Sequence, residues 1–418
     1  MQPDGLRLRL VVPGNVRHNS GGNVYNAALA RELASLGVDV TICPLDGGWP
    51  VGTAEDRRRL ATLLGNADDG GTANDYDAAD ASAAKRHVTL VDGLLACGAP
   101  EELAAAAAAG RPAWILLHMP LDDTGHGEAG LERRALRAAA GVICTSTSAA
   151  AGIRARHGLD GVRTALPGTD AAALADGSEP PHLLAVAALL PNKDQSLLLA
   201  ALSALTDLPW TASLVGSDTA DPAYAARLRD TVGRLGLQGR IRIPGELRGA
   251  ALEAEWAAAD LSLLISKAET FGLVVTESIA RGVPVVVRAG TGAVEALAAG
   301  TPAPTPAAPA PTATPETSPA AADGAGTLPG TAVALGADPA PLTEVLRRWL
   351  SEPGLRTRWR AAAADARDRL PGWDSTARTV LAALDPEHPA AEPPAAPPGI
   401  EQEKPSAEDS PAARAGGQ

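Results

Sequence analysis

Aromatic residues make up only 3% of this 418-residue chain, with a single phenylalanine, and aliphatic side chains must therefore do most of the packing. Lysine is scarcer still: Lys85, Lys193, Lys267 and Lys404 are the only four. Clustered basic residues are missing, which argues against a nucleic-acid surface. The three cysteines, Cys43, Cys97 and Cys144, lack the close spacing of a zinc site or a disulfide framework and read as buried free thiols of a reducing compartment. No apolar run reaches the roughly 18 residues of a membrane span, and no basic-then-apolar leader precedes the strand-like "LRLRLVV". A soluble, cytoplasmic protein is expected. A G-x-S-x-G elbow is absent, and no G-x-G-x-x-G follows the first strand, which weakens a nicotinamide-dependent dehydrogenase.

What is present is apolar content of 45%, enough for packed cores, and a formal charge of −13 that is unevenly spread. Residues 66–85, 301–330 and 385–418 carry −11 of it, so the remainder is near neutral. These segments are Asp/Ala/Gly-rich or Pro/Ala-rich. Residues 301–330 and 386–418 alone hold 16 of the 35 prolines, which cannot serve a sheet or helix interior. They read as a low-complexity loop (66–85), an expanded loop (301–330) and a disordered tail (386–418).

Elsewhere short apolar runs alternate with helical patterns. "LRLRLVV", "VDVTIC", "HVTLVD", "AWILLH" and "GVICTS" form one set; "HLLAVAAL", "WTASLVG", "RIRIPG", "DLSLLIS" and "VPVVV" form a second. Strands buried on both faces and separated by helices predict parallel sheets. The chain is therefore α/β, with two Rossmann-like parallel-sheet domains facing a cleft. The first spans residues 1–175 and the second 182–372. A closing helix at 373–385 would return to the first. Ligands in such sheets bind beyond the carboxyl ends of the strands, here in the cleft.

The stretch "KAETFGLVVTESIARGVPVVV" is the most informative. After the strand "DLSLLIS" comes a turn carrying Glu269, then a helix expected from about Phe271 to Arg281, stopped by Gly282. Amides of Phe271, Gly272 and Leu273 at the helix start form an anion site suited to phosphate. Glu269 and Glu277 on either side of it suit hydroxyls, of a sugar and of a ribose. A ligand with all these parts is a nucleotide-diphosphate sugar.

Two glutamates with seven residues between them, set in "ETFGLVVTESIARGVPVV", resemble the retaining GT-B glycosyltransferases of family 4, group 1. The resemblance extends to Gly21-Gly22 as a glycine-rich turn before the first helix and to "LLHMP", with His118 at a strand end. It also includes "LPGTD", "LPNKD" with Lys193, and "LPGWDSTARTVLAAL" at the closing helix. It implies retaining transfer from a nucleotide-diphosphate sugar to an unspecified acceptor. Lys193 and the helix amides would hold the diphosphate, Glu269 the sugar and Glu277 the ribose, with His118 near the reacting carbon. No metal and no other cofactor are expected. "DYD" at 75–77 imitates a D-x-D metal motif but sits in a low-complexity spacer and reads as chance. Lys267 would face either the phosphates or solvent. One departure stands out: Ala188 occupies the place of a common arginine. It leaves open a catalytically inactive nucleotide-sugar binder; a nucleotide-sugar epimerase is a further alternative.

Overall fold

Short aliphatic runs, separated along the chain by helices, build two sheets, each parallel throughout. A computed structural model describes residues 6–15, 20–65, 86–121, 128–302 and 328–385. The 66–85 spacer with its "DYD", the interior of 301–330 and the 386–418 tail lie outside the described residues.

The first sheet holds β1 (Leu6–Pro13), β2 (Asp39–Leu45), β3 (Arg86–Asp92), β4 (Trp114–Leu117), β5 (Gly141–Cys144) and β6 (Arg163–Thr164), in the order β2-β1-β3-β4-β5-β6. The second holds β7 (His182–Val186), β8 (Thr211–Val215), β9 (Ile241–Gly245), β10 (Leu261–Leu264), β11 (Val285–Arg288) and β12 (Gly330–Val333), in the order β12-β11-β10-β7-β8-β9. Each order reverses direction next to its first strand, β1 in one sheet and β7 in the other, the point where a crevice opens beyond the strand ends. Central strands such as β10 and β11 are buried along their whole length, because helices cover both faces.

Two elements depart from the sequence reading. β12 begins at Gly330, inside the stretch that reads as a loop: its sequence "GTAV" is too small and short to read as a strand. Glycine is needed there, since a Cβ on Gly330 would stand 1.8 Å from the Val285 carbonyl oxygen. β6 is only two residues long and carries no apolar run at all.

The chain returns at its end to where it began. The Trp373–Leu384 helix packs Trp373, Ala377, Val380 and Leu384 into one cluster with Leu8, Leu10, Leu29 and Leu33 of the first sheet and its Gly21–Ser35 helix. Tyr25 lies edge-on between Trp373 (5.5 Å) and His118 (5.2 Å), so the returning helix reaches the cleft through one ring.

Candidate active site

Both sheets turn their carboxyl ends to one cleft. From the first sheet comes His118, directly after β4. Its Nε2 lies 3.0 Å from Asn26 Oδ1 and 3.4 Å from Asp92 Oδ2. Asn26 donates its amide N–H to Asp92 at 2.7 Å, so its oxygen is the atom turned to His118. Nε2 therefore carries the proton, and Nδ1 remains for another partner. Burial alone would push the Asp92 carboxyl up, but His118, the Leu94 amide and Asn26 outweigh it, and the net direction is down. Asp92 stays a carboxylate that orients the imidazole.

Neither Asn26 nor Asp92 was singled out from the sequence. The available signals were an acid closing a buried strand and an asparagine one turn beyond Gly22 on the same helix face. Gly21 and Gly22 are not a turn before the helix; they are its first two residues, capped by Ser20, whose side chain accepts from the Asn23 amide. A methyl on Gly22 would stand 3.2 Å from His118 Cδ2, and one on Gly21 would stand 3.7 Å from Leu273 Cδ1 on the opposite side of the cleft.

From the second sheet come Lys193 and Glu269. The turn Pro191–Lys193 follows β7, and the segment after β10 carries Glu269. Lys193 Nζ meets Glu269 Oε2 at 2.9 Å, with about a fifth of each side chain exposed. Lys267 does not join them. It points to Asp194 Oδ1 at 3.5 Å.

Asp194 is the single non-glycine residue with positive φ (57°) among the described residues, and buried Arg288 holds its other oxygen. Arg288 also donates to the Ile265 and Leu335 carbonyls. An otherwise unfavourable backbone next to Lys193 is thus fixed by an ion pair. Ala188 is half-buried, and its carbonyl accepts from Gln195 Nε2 at 3.0 Å.

The helix after Glu269 runs from Leu273 to Ala280, two residues shorter at its start than expected. Gly272 at φ 88° is its N-cap, and the lone Phe271 is buried against Val275, Ile279 and Val287. A left-handed glycine ends the possibility of helix at 271–272. The free amides of the first turn are therefore those of Leu273 and Val274, with Val275 already bonded to the Gly272 carbonyl. Phe271 anchors this turn from below and offers its backbone at most.

Glu277 lies in the second turn of that helix, half-buried. Burial pushes its carboxyl up, Arg281 pulls it down less, and Asp170 and Glu253 add to the rise. Its carboxylate is a partly exposed acceptor that no described side chain occupies. No direct contact joins Glu277 to Glu269; the helix between them sets their separation.

Buried Cys97 and Cys144 are unpaired, and burial raises both thiols, Cys144 to about 12, so neither is a nucleophile. Among the described residues no group of three or more His, Cys, Asp and Glu is arranged to hold a metal ion. None of the described helices is long and apolar enough to cross a membrane.

Two parallel six-stranded sheets with a cleft between their carboxyl edges, a cation and two glutamates on one wall and a histidine on the other, define the GT-B architecture. The model for glycosyl transferases group 1 matches residues 169–366. That for glycosyltransferase family 4 matches residues 19–172. The chain belongs to this family.

A curated relative, mannosylfructose-phosphate synthase of Agrobacterium fabrum, is 32% identical over 128 residues, which is 29% of this chain and 28% of that protein. Among solved structures, sucrose-phosphate synthase from Thermosynechococcus elongatus superposes with a TM-score of 0.65 at 18% identity, covering 90% of this chain and 97% of that one. Anabaena HepE in complex with UDP and glucose gives 0.62 at 18%, covering 91% and 99%. At such identities the likeness is one of fold.

Proposed function

We propose that the chain transfers a glycosyl unit from a nucleoside-diphosphate sugar to an acceptor with retention of anomeric configuration. The observation that carries this reading is the meeting of Lys193 and Glu269 at the N-terminus of the Leu273–Ala280 helix. A cation and free helix amides suit a diphosphate. The adjoining carboxylate suits sugar hydroxyls. Glu277, an unpaired and half-buried acceptor on the same helix, suits the ribose diol. Two of the similar proteins are named for sugar-phosphate products and a third was solved with UDP and glucose, which favours a UDP-sugar as the first donor to try.

The reaction breaks the bond between the anomeric carbon and the diphosphate oxygen. The acceptor oxygen attacks from the same face, and its proton passes to the departing phosphate. A covalent intermediate would require a free carboxylate under the anomeric carbon, whereas Glu269 is already held by Lys193. Lys193 and the helix amides take up the charge that develops on the diphosphate, so the reading assigns no role to a metal. His118, oriented by Asn26 and Asp92, acts beside the reacting carbon.

A thermal-shift panel of sugar nucleotides tests binding: a donor at 100 times its Kd adds about 2.7 kcal/mol of stability. No shift with any of them sinks the reading. Proton NMR of the product anomer in EDTA tests the mechanism. Inverted product, or activity abolished by EDTA and restored by manganese, would overturn it. Ala188 favours a second reading, a sugar-nucleotide binder without turnover, which donor hydrolysis distinguishes.

A further inference from the structure

Beside the apolar approach of Leu273 to the first sheet's cluster, one hydrogen-bonded contact joins the two walls of the cleft directly. Thr147 opens the Thr147–His157 helix just after β5. Glu295 belongs to the Ala293–Ala298 helix just after β11. The Thr147 amide donates to both Glu295 carboxylate oxygens, at 3.2 and 3.0 Å, and its hydroxyl donates to Oε1. Among the described residues these are the hydrogen bonds that pass straight from the first sheet's half to the second's. The other links run through the 165–181 connector and the segment leading into the Trp373–Leu384 helix.

Each end of this contact is tied to the site. On the first side, the Thr145 hydroxyl donates to the His118 carbonyl at 3.4 Å. On the second, the Gly292 amide donates to the Glu269 carbonyl at 2.7 Å. A Cβ on Gly292 would lie 1.7 Å from the Thr270 carbonyl oxygen, so the loop ahead of Glu295 lies flat on the Glu269–Thr270 backbone. Short steps thus connect His118 to Thr145, Thr147, Glu295, Gly292 and Glu269.

We infer that Glu295 and Thr147 are positioning residues that set His118 at working distance from the Lys193–Glu269 pair. A carboxylate bonded to a helix N-terminus is favoured by the aligned amides and by its own charge. Both partners are half-buried, so removing one lets water in and opens the cleft without stranding a buried charge. The catalytic consequence rests on the glycosyl-transfer reading; the contact itself does not.

The test compares the full chain with Glu295→Ala, Glu295→Gln and Thr147→Val. In Glu295→Ala the Thr147 amide should exchange with deuterium at least about tenfold faster, and small-angle scattering should show a larger radius of gyration. UDP affinity by calorimetry should stay within about twofold, while kcat on the sugar nucleotide selected by the panel falls at least about tenfold. Glu295→Gln, whose amide oxygen still accepts, should recover most of both losses. Adding Thr147→Val to Glu295→Ala should change nothing further. Wild-type exchange and scattering in Glu295→Ala overturn the clasp whether or not UDP binds, and altered exchange with unchanged kcat overturns the positioning role. Altered exchange and scattering in a chain that binds no sugar nucleotide keep the clasp and remove the glycosyl-transfer reading.

Discussion

Burial raises the Glu277 carboxyl above its ordinary range, with opposite consequences for folding and for binding. The unfolded chain releases that proton at the ordinary value, while the folded chain holds it to higher pH. Stability from this group is therefore full below the ordinary carboxylate value and declines as pH rises through the raised one. Glu277→Gln should melt higher than wild type above that window and no higher below it; equal melting at every pH would show that the carboxylate carries no burial penalty. Glu277→Ala should weaken donor binding by about 1–3 kcal/mol, since a ribose diol loses its acceptor, and an unchanged Kd in calorimetry would sink the ribose role. Across the cleft, His118→Ala should lower turnover about 10²–10⁴-fold. Asp92→Asn should lower it less, with donor affinity kept, because the carboxylate acts only through the ring it orients.

The glutamate pair and the strand runs were legible because their physics is local: aliphatic runs such as "DLSLLIS" read directly as buried strand. The helix start was not. It depends on Gly272 taking φ 88°, a choice made by packing, since a Cβ there would meet Leu264 Cδ2 at 2.7 Å and Glu269 Cγ at 3.4 Å. Asn26–Asp92 and Thr147–Glu295 join residues 66 and 148 positions apart, a distance over which a single sequence carries no pairing signal. The Gly272 geometry makes its own prediction. Gly272→Ala forces a left-handed alanine, at about 1–3 kcal/mol, and presses on both Leu264 and Glu269. Donor affinity and melting temperature should fall together, and a variant with wild-type values for both would show that the turn can relax freely.

The whole molecule is closed by its last described helix. Trp373, Val380 and Leu384 are almost wholly buried against the first sheet, although they follow the second sheet in sequence. Arg163 bonds the carbonyls of Ala382 and Ala383, and Arg86 bonds that of Leu384, so two cations from the first half cap this helix at its negative end. Thr376 adds a hydrogen bond to the Leu166 carbonyl at 2.8 Å. Ending the chain after Gly372 exposes the cluster those side chains filled. At about 1.5–3 kcal/mol for each of the three large ones, the loss approaches the about 5–15 kcal/mol that a domain has in total. The shortened protein should therefore lose cooperative melting of its first half or aggregate. A folded remnant should still show low turnover, because Tyr25 loses the Trp373 ring that backs it against His118. Ending the chain after Asp385 keeps every one of these contacts and should shift Tm by no more than about 2 °C. Calorimetry of the two truncations side by side decides the matter: if both melt like the full chain, the returning helix is a bystander and the first sheet holds its own core closed.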